Sequence, residues 1–139
     1  GKFVPPIQTS WRHNAQDPVL RQAAQELGEY FAGERQHFTV PLAPRGTAFQ
    51  QRAWAALLQI PYGQTITYGQ QAQQMQQPKA VRAVGGANGK NPIAILIPCH
   101  RVVGSNGALT GYSGGMAHKV FLLQLEGALP RAASAHLEL

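Results

Sequence analysis

The single cysteine of the chain, Cys99, lies in the sequence Pro98-Cys99-His100-Arg101. A free thiol with a pKa of about 8.5 is only a few per cent thiolate at neutral pH. An imidazole within reach can remove its proton and a nearby cation stabilises the anion, and His100 and Arg101 are the candidates for these roles. We expect a turn at Pro98, or a bridging water, to bring His100 to the thiol. Cys99 is therefore a candidate nucleophile, with a small buried apolar residue as the alternative interpretation.

A histidine that acts as a base needs a partner that fixes its tautomer and stabilises the imidazolium. The chain has only six acidic residues, and Glu126 follows the last apolar helical pattern. The alternative is a solvated carboxylate, which the helix dipole disfavours at a helix C-terminus. Glu126 is thus the leading candidate for the partner of His100.

Composition limits the classes of protein to which the chain can belong. It has 139 residues, of which 44% are apolar, which is ordinary for a single compact domain. It contains no apolar run of about 18 residues and no signal-peptide pattern, so we expect a soluble, intracellular protein without membrane contact. One cysteine excludes an internal disulfide, and the five histidines lack metal-ligand spacing. We therefore predict no metal site.

The distribution of charge favours a nucleic-acid partner. The formal net charge is +6, and residues 35–125 contain no carboxylate side chain. Lysine and arginine gain affinity for phosphate by counterion release, which acidic neighbours weaken. A solvated basic surface is the alternative. The cations within this stretch are Arg35, Arg45, Arg52, Lys79, Arg82, Lys90, Arg101 and Lys119.

Helical patterns dominate the chain before Cys99. Asp17 and Pro18 form an N-cap and a first helical residue, and apolar spacing predicts a helix over about 17–33. A short extended piece and a proline-rich linker follow. Further helices are expected to begin at Thr47, near Thr67 and at Pro78. Two short helices joined by a tight turn indicate a helix-turn-helix.

The helix predicted over 79–88 is rich in small residues. Gly85 and Gly86 could allow a close helix crossing. Alternatively, the helix is slim enough for a narrow groove, with Arg82 projecting from it. The sequence leaves both interpretations open.

The segment around and after Cys99 predicts short extended pieces and one more helix. Residues 91–98 are typical of a buried strand or extended segment that leads to Cys99. Val102-Val103, the turn at 106–107 and residues 108–110 predict a hairpin with a type I′ turn. A helix over about 116–126 is expected to bury Val120, Phe121, Leu123 and Leu125. The fold predicted is α+β and mostly helical: a winged-helix-like helix-turn-helix domain with a short hairpin and an active-site cysteine loop.

The sequence PCHRVVG at 98–104, with GYSGG at 111–115, resembles the active-site signature of the O6-alkylguanine-DNA alkyltransferases. The similarity extends from about Gly46 to Gly127. Several motifs in the same order make it specific. They are IPYG at 60–63, TYG at 67–69, KAVRAVG at 79–85 and NGKNP at 88–92.

The resemblance implies a role for each matching residue. Cys99 matches the alkyl acceptor, His100 the base that acts through a water, and Glu126 the carboxylate that orients it. Asn91 matches the asparagine that braces the active-site turn, and Tyr68 the tyrosine that donates toward guanine N3. The residues that match the pocket lining are Val102, Tyr112 and Ser113.

The resemblance also implies how DNA binds. Arg82 matches the arginine that fills the gap when the nucleotide rotates out of the duplex, with its helix in the minor groove. A base must leave the stack before a thiol can reach its O6, so this role agrees with the physics. The predicted DNA-contacting residues are Arg82, Lys79, Ala80, Ala83 and Gly85.

The implied function is stoichiometric, irreversible transfer of an alkyl group from O6-alkylguanine in duplex DNA to Cys99, with O4-alkylthymine as a further candidate substrate. No cofactor is expected, because the acceptor belongs to the protein. We expect a monomer in the bacterial cytoplasm, associated with the nucleoid when acting. A non-catalytic binder of alkylated DNA, or a winged-helix regulator with a structural Cys99, are the alternatives.

The resemblance predicts three regions. Residues 1–45 are expected to be the remnant of an incomplete N-terminal α/β domain, of which the helical end is present, and a linker. Residues 46–128 are expected to form the DNA-binding and alkyl-acceptor domain, and 129–139 a tail. The sequence departs from some relatives at Asn88, where they have an apolar pocket residue.

Overall fold

A computed structural model describes residues 17–109 and 115–129 of the chain. The described residues form five α-helices, two short strands and a 3-10 turn, so the α+β, mostly helical fold class is confirmed. The elements are α1 (Pro18–Phe31), α2 (Ala48–Leu58), β1 (Ile66–Thr67), α3 (Tyr68–Gln74), α4 (Val81–Gly89), the 3-10 turn (Cys99–Arg101), β2 (Val102–Val103) and α5 (Met116–Leu125).

Side-chain caps fix where the first three helices begin. The Asp17 carboxylate accepts backbone N–H groups of the first turn of α1. Thr47 and Thr67 each form a capping box, with Gln50 and Gln70 as the reciprocal partners. The predicted starts of these helices are therefore confirmed.

The helix-turn-helix consists of α3 and α4, which pack on α2 around a small apolar core. Trp54 of α2 donates its indole N–H to the Ala87 carbonyl of α4 at 2.9 Å. The predicted start of α4 was too early, because Lys79 and Ala80 lie in a turn before the helix. In that turn the backbone N–H of Ala80 bonds back to Gln77 at 2.9 Å, and α4 then begins at Val81.

A buried amide pair joins α3 to α4. Gln71 is wholly buried, and its side chain exchanges two hydrogen bonds with Asn88, at 3.0 and 2.7 Å. The same Gln71 amide donates to the Ala53 carbonyl of α2 at 3.1 Å. The glutamine-rich stretch 70–77 therefore contributes to the core through Gln71, and Asn88 serves packing between the helices.

We expect Asn88→Ala to lower the free energy of unfolding by about 1–3 kcal/mol, because it leaves the buried Gln71 amide without its partner. Urea denaturation measures the loss. Gln73→Ala, on the exposed face of α3, the helix that contains Gln71, is the control. An equal effect of the two substitutions would contradict the importance of the pair.

The approach to Cys99 is a buried turn, where the sequence predicted a strand or extended segment. Residues 94–97 are buried, but their only pairing is a single bridge between Ala94 and Ile97. Ile95 has φ 77°, an uncommon conformation for a β-branched residue. The Asn91 side chain holds this turn, since it accepts the Ile93 N–H at 2.9 Å and donates to the Ile97 carbonyl at 2.7 Å.

The pairing described for β2 is not with the second arm of the predicted hairpin, and pairing across to Thr110 stays a prediction. Val102 and Val103 pair in parallel with Ile66 and Thr67 of β1, so the strands are joined by the whole helix-turn-helix. A turn after β2 does form, closed by the Gly104 N–H on the Ala108 carbonyl at 2.8 Å. It is not a type I′ turn, because its positive φ is confined to Gly107. Thr110 lies outside the described residues.

The buried face of α5 differs from the one predicted. Leu123 is buried as expected, but Phe121 is 52% exposed and lies beside Phe31. Lys119 and Leu122 are buried instead. The apolar pattern misplaced the face because a lysine forms part of it. The helix ends at Leu125, which leaves Glu126 as its buried C-cap residue.

The main core brings α1 against the turn that carries Cys99. Tyr30, Trp54, Ile97, Val102 and Leu122 are among its buried side chains. None of the helices in the described ranges is long and apolar enough to cross a membrane. The division of the chain at residue 46 stays a prediction.

Candidate active site

Cys99 is the first residue of the 3-10 turn and is only 7% exposed. Pro98 precedes the turn, as the sequence predicted, and the tight turn also buries His100 and Arg101. Burial raises the pKa of the Cys99 thiol, and a hydrogen bond with Asn91 and the charge of Lys119 oppose that rise. The thiol is therefore protonated at rest, and a base must remove its proton before it can attack.

Glu126 is the centre of a buried hydrogen-bond network. Its Oε2 lies 2.8 Å from His100 Nε2 and accepts the Tyr30 hydroxyl at 2.6 Å. The Arg101 guanidinium binds both carboxylate oxygens, with Nε on Oε1 and Nη2 on Oε2, each at 2.8 Å. The sequence predicted His100 as a partner of Glu126, and the structure brings the two together.

These donors keep Glu126 ionised. Burial alone raises the pKa of Glu126, but the hydrogen bonds from His100, Arg101 and Tyr30 outweigh it and hold the pKa at about 2. An ionised carboxylate only accepts hydrogen bonds, so Nε2 of His100 carries the ring proton. The tautomer of His100 is thereby fixed.

His100 is a neutral imidazole at rest. Burial lowers its pKa, against the opposing effect of Glu126, while the charges of Arg101 and Lys119 lower it further. Its Nδ1 is buried, and no group of the described residues hydrogen-bonds to it. With the proton on Nε2, Nδ1 has a lone pair that can accept a proton.

Lys119 is a site residue that the sequence reasoning missed. Its side chain is fully buried, and Nζ donates to the Val102 carbonyl at 2.6 Å. Burial lowers the pKa of Lys119 to about 8, and interaction with Cys99 opposes the decrease. A signal existed: the spacing of seven residues between Lys119 and Glu126 puts both on one face of a helix. Because lysine is charged, a prediction of the buried helix face from apolar residues alone does not include it.

Two of the predicted pocket residues lie outside the described residues, namely Tyr112 and Ser113. Val102 is fully buried in β2. Tyr68 begins α3 and is partly buried beside the core that contains Cys99. Burial and the nearby Cys99 raise the pKa of the Tyr68 hydroxyl, so the phenol keeps its proton at neutral pH.

The predicted DNA-contacting residues lie on α4 or just before it. Arg82 and Ala83 are exposed in the first turn of α4, and Lys79 is exposed in the preceding turn. Ala80 and Gly85 are partly buried. Helix packing does not require the small residues: a Cβ on Gly85 would make only an ordinary contact, 3.9 Å from the Tyr68 ring.

Helix packing does not require a glycine at Gly86 either. A Cβ added there would meet nothing within 4 Å, the helix's own backbone aside. A close helix crossing, the structural interpretation of Gly85 and Gly86, is therefore not supported. The interpretation that remains is a slim helix that faces outward.

The basic surface is smaller than the sequence suggested. Arg101 and Lys119 are buried, so neither contributes to a phosphate-binding face. Arg35 pairs with Glu29 at 2.7 Å. Lys79, Arg82 and Lys90 are exposed on or beside α4, and Arg45 and Arg52 are exposed before or on α2. Positive charge is thus available at the slim helix.

Within residues 17–109 and 115–129, no three side chains of His, Cys, Asp or Glu cluster so as to hold a metal ion. The absence of a metal site stays a prediction. The site instead combines a protonated thiol, a neutral imidazole and an ionised carboxylate. Fold and site together define a helix-turn-helix protein whose buried cysteine precedes a buried histidine that is held by a carboxylate.

Two family models match the chain. The model described as the DNA binding domain of 6-O-methylguanine DNA methyltransferase covers residues 48–128. The model described as the ribonuclease-like domain of the same enzyme covers residues 4–44. The chain belongs to the 6-O-methylguanine DNA methyltransferase family, which confirms the resemblance found in the sequence.

Individual relatives and a solved structure support the same family. The chain is 54% identical over 127 residues to the methylated-DNA–protein-cysteine methyltransferase of Methanosarcina acetivorans, covering 91% of this chain and 80% of that protein. It is 55% identical over 122 residues to the protein of the same name from Mycobacterium tuberculosis H37Rv, covering 87% and 72%. The crystal structure of M. tuberculosis OGT in complex with DNA superimposes with a TM-score of 0.77 at 57% identity, over 78% of this chain and 68% of that one.

Proposed function

We propose that this protein repairs DNA by transferring an alkyl group from the O6 of guanine to Cys99, once and irreversibly. The observation that carries the proposal is the buried thiol next to a neutral His100 that is held by an ionised Glu126. The membership of the chain in a methyltransferase family supports the same reaction. A thioether is a poor leaving group, so the acceptor is not regenerated and no cofactor takes part.

The reaction begins with proton transfer from the thiol. Nδ1 of His100 accepts the Cys99 proton through a bridging water, and Glu126 stabilises the imidazolium that forms. The thiolate sulfur attacks the alkyl carbon in line with the bond to O6. The carbon–sulfur bond forms as the carbon–oxygen bond breaks, and its electron pair goes to the guanine. Neutral guanine is restored as the leaving base takes up a proton.

Other residues stabilise the charges that develop. Lys119 lowers the pKa of Cys99 by its positive charge, so we assign it to the nascent thiolate. The Tyr68 phenol donates toward N3 of the leaving guanine. Asn91 holds the turn before Cys99 through two backbone hydrogen bonds. The pocket for the lesion is assigned to Val102, Tyr112 and Ser113.

Duplex DNA is the partner, with α4 in the minor groove. The helix presents Arg82 and Ala83 outward, and neither Gly85 nor Gly86 is needed for packing. A slim helix fits a narrow groove, and a side chain that enters the stack can hold the flipped state. We assign that insertion to Arg82, with Lys79, Ala80, Ala83 and Gly85 against the backbone. We also propose that the protein is a monomer that acts on nucleoid DNA in the cytoplasm.

We expect Arg82→Ala to slow transfer from a duplex by roughly 10- to 100-fold, because flipping costs a few kcal/mol that the inserted side chain offsets. Transfer from the free modified base, which needs no flipping, should change less than about twofold. Single-turnover rates on the two substrates test this. Arg21→Ala, an exposed arginine on α1, is the control, and equal slowing on both substrates would remove Arg82 from the flipping role.

Intact mass and peptide mapping test the function itself. The protein is mixed with a duplex that contains one O6-methylguanine. We expect one added methylene on the Cys99 peptide, saturating at one equivalent. An unchanged mass with lesion-selective binding would show a non-catalytic binder of alkylated DNA. An unchanged mass without selectivity would leave a basic DNA-binding domain.

A further inference from the structure

A residue of the N-terminal helix reaches the candidate active site. Tyr30 lies at the end of α1, 96 residues before Glu126, and is wholly buried. Its hydroxyl donates to Oε2 of Glu126 at 2.6 Å. The same oxygen accepts the Nε2–H of His100 at 2.8 Å. Tyr30 and His100 therefore share one acceptor atom.

We propose that Tyr30 is a positioning residue of the relay, whose hydroxyl orients Glu126 and limits how strongly that carboxylate acts on His100. This inference rests on the proposed function for its consequence, the rate of alkyl transfer. It assigns part of the active site to a helix that precedes the DNA-binding domain.

The physical basis is the sharing of one negative charge among several donors. A donor to a carboxylate draws its charge toward itself and lowers its proton affinity. Without the Tyr30 hydroxyl, Oε2 would still accept His100 and Arg101, but with more of its charge uncompensated. The imidazolium form of His100 would then be favoured, and His100 would hold a proton at a higher pH.

Tyr30 is suited to this task over the whole working range of pH. Burial and the neighbouring Glu126 raise the pKa of the Tyr30 hydroxyl, so it always acts as a donor. Other charged and titratable groups face the pair as well, and they are unchanged by a substitution at Tyr30. They are Arg101 of the 3-10 turn, Tyr62 between α2 and β1, and Lys119 of α5.

The ring and the hydroxyl of Tyr30 have separate contacts. The ring packs against Phe31, Phe38 and Tyr62, with centroids 5.4, 5.4 and 6.2 Å away. Phenylalanine preserves all three contacts and removes only the bond to Glu126. Tyr30→Phe is therefore a test of the hydroxyl, separate from packing.

Tyr62 offers a matched control. It lies in the same core and contacts Tyr30, and its ring is 5.7 Å from the Arg101 guanidinium carbon. Its hydroxyl donates to the backbone carbonyl of Leu125 at 3.2 Å and makes no bond to the Glu126 side chain. Tyr62→Phe thus removes a neighbouring hydroxyl without changing the donors to Glu126.

The experiment measures single-turnover methyl transfer from an O6-methylguanine duplex between pH 5 and 9, for the full chain and both variants. We expect Tyr30→Phe to shift the acidic limb of the profile to higher pH by up to about one unit, which slows transfer by up to about tenfold at the acidic end of the range. Above pH 8 the rate should stay within about twofold of the parent. Tyr62→Phe should leave the profile in place.

A second variant is expected to shift the acidic limb in the opposite direction. Tyr30→3-fluorotyrosine keeps the size of the ring and makes the hydroxyl a stronger donor, so the acidic limb should move to lower pH. Coincident profiles for the parent and all variants would overturn the proposal. So would an equal, pH-independent slowing in both phenylalanine variants, which would show a role in packing alone.

Titration of His100 by NMR separates this inference from the proposed function. If the parent protein takes up no methyl group, the proposed function fails. The positioning role is still decided, because the pKa of His100 must rise in Tyr30→Phe and stay unchanged in Tyr62→Phe. An unchanged His100 pKa in Tyr30→Phe would overturn it.

Discussion

Cys99→Ser is expected to abolish alkyl transfer, with a loss of about a thousandfold or more in rate. The hydroxyl is a far weaker acid than the thiol, so a neutral His100 cannot generate the alkoxide at neutral pH. Serine is close to cysteine in size, and the site is buried, so the fold and the lesion pocket should be retained.

Three measurements check this expectation. The first is transfer of a labelled methyl group to protein under single-turnover conditions, and the second is the affinity for a duplex with and without O6-methylguanine. The third is the free energy of unfolding, which should change little and thereby exclude misfolding as the cause. If the serine variant still accepted methyl groups, the nucleophile would have to be sought elsewhere.

Glu126→Gln is expected to lower the free energy of unfolding by about 3–5 kcal/mol, because it leaves the buried Arg101 guanidinium without its counter-charge. The guanidinium would keep its bond to the Ile60 carbonyl at 2.7 Å, which does not neutralise it. The same change should slow transfer by about a hundredfold, since the imidazolium of His100 loses its stabilising anion. Denaturation and single-turnover rates measure the two effects.

Glu26→Gln is a matched control for the rate. Glu26 is also buried, but it accepts hydrogen bonds from Thr39, Val40 and Gln22, away from the 3-10 turn. Glu26→Gln should destabilise the protein, but it should not change the rate of transfer under conditions where the variant is folded. A rate loss equal to that of Glu126→Gln would indicate that any weakened core slows the reaction.

The effect of Glu126 on stability depends on pH in a defined direction. Its pKa is about 2 in the folded protein, below the ordinary value of 4.5. The folded state therefore favours the ionised carboxylate. The contribution of Glu126 to the free energy of unfolding is fully present above pH 4.5 and is lost as the pH falls toward 2. The contribution is on the order of 3 kcal/mol. Glu126→Gln should remove this part of the acid-induced loss.

The reactive turn and the starts of the helices with side-chain caps could be predicted because their signals are local. Thr47 and Thr67 cap their own helices through residues three positions later. Pro98 and His100 lie directly beside Cys99 in the sequence. Glu126 was the exception, a distant partner that could be found because acidic residues are so few in this chain.

The remainder depends on tertiary packing, which local pattern does not encode. The parallel pairing of β1 with β2 is set by how α3 and α4 fold back between them. Tyr30 gives no sign in the sequence that its hydroxyl ends on a carboxylate 96 residues away. Arg101 and Lys119 were counted with the cations of a phosphate-facing stretch, because burial of a charge is costly unless a specific partner meets it. Those partners, Glu126 and the Val102 carbonyl, are visible only in three dimensions.

The burial of Cys99 also determines how long an unused molecule lasts. A thiol that is 7% exposed and kept protonated is a poor target for peroxides and small dissolved electrophiles, which consume thiolates. The sulfur is thus spared until a flipped base enters the site. Because each molecule reacts once, the number of alkylated molecules follows the number of lesions met. The size of the unreacted pool therefore reports how much damage the DNA has received.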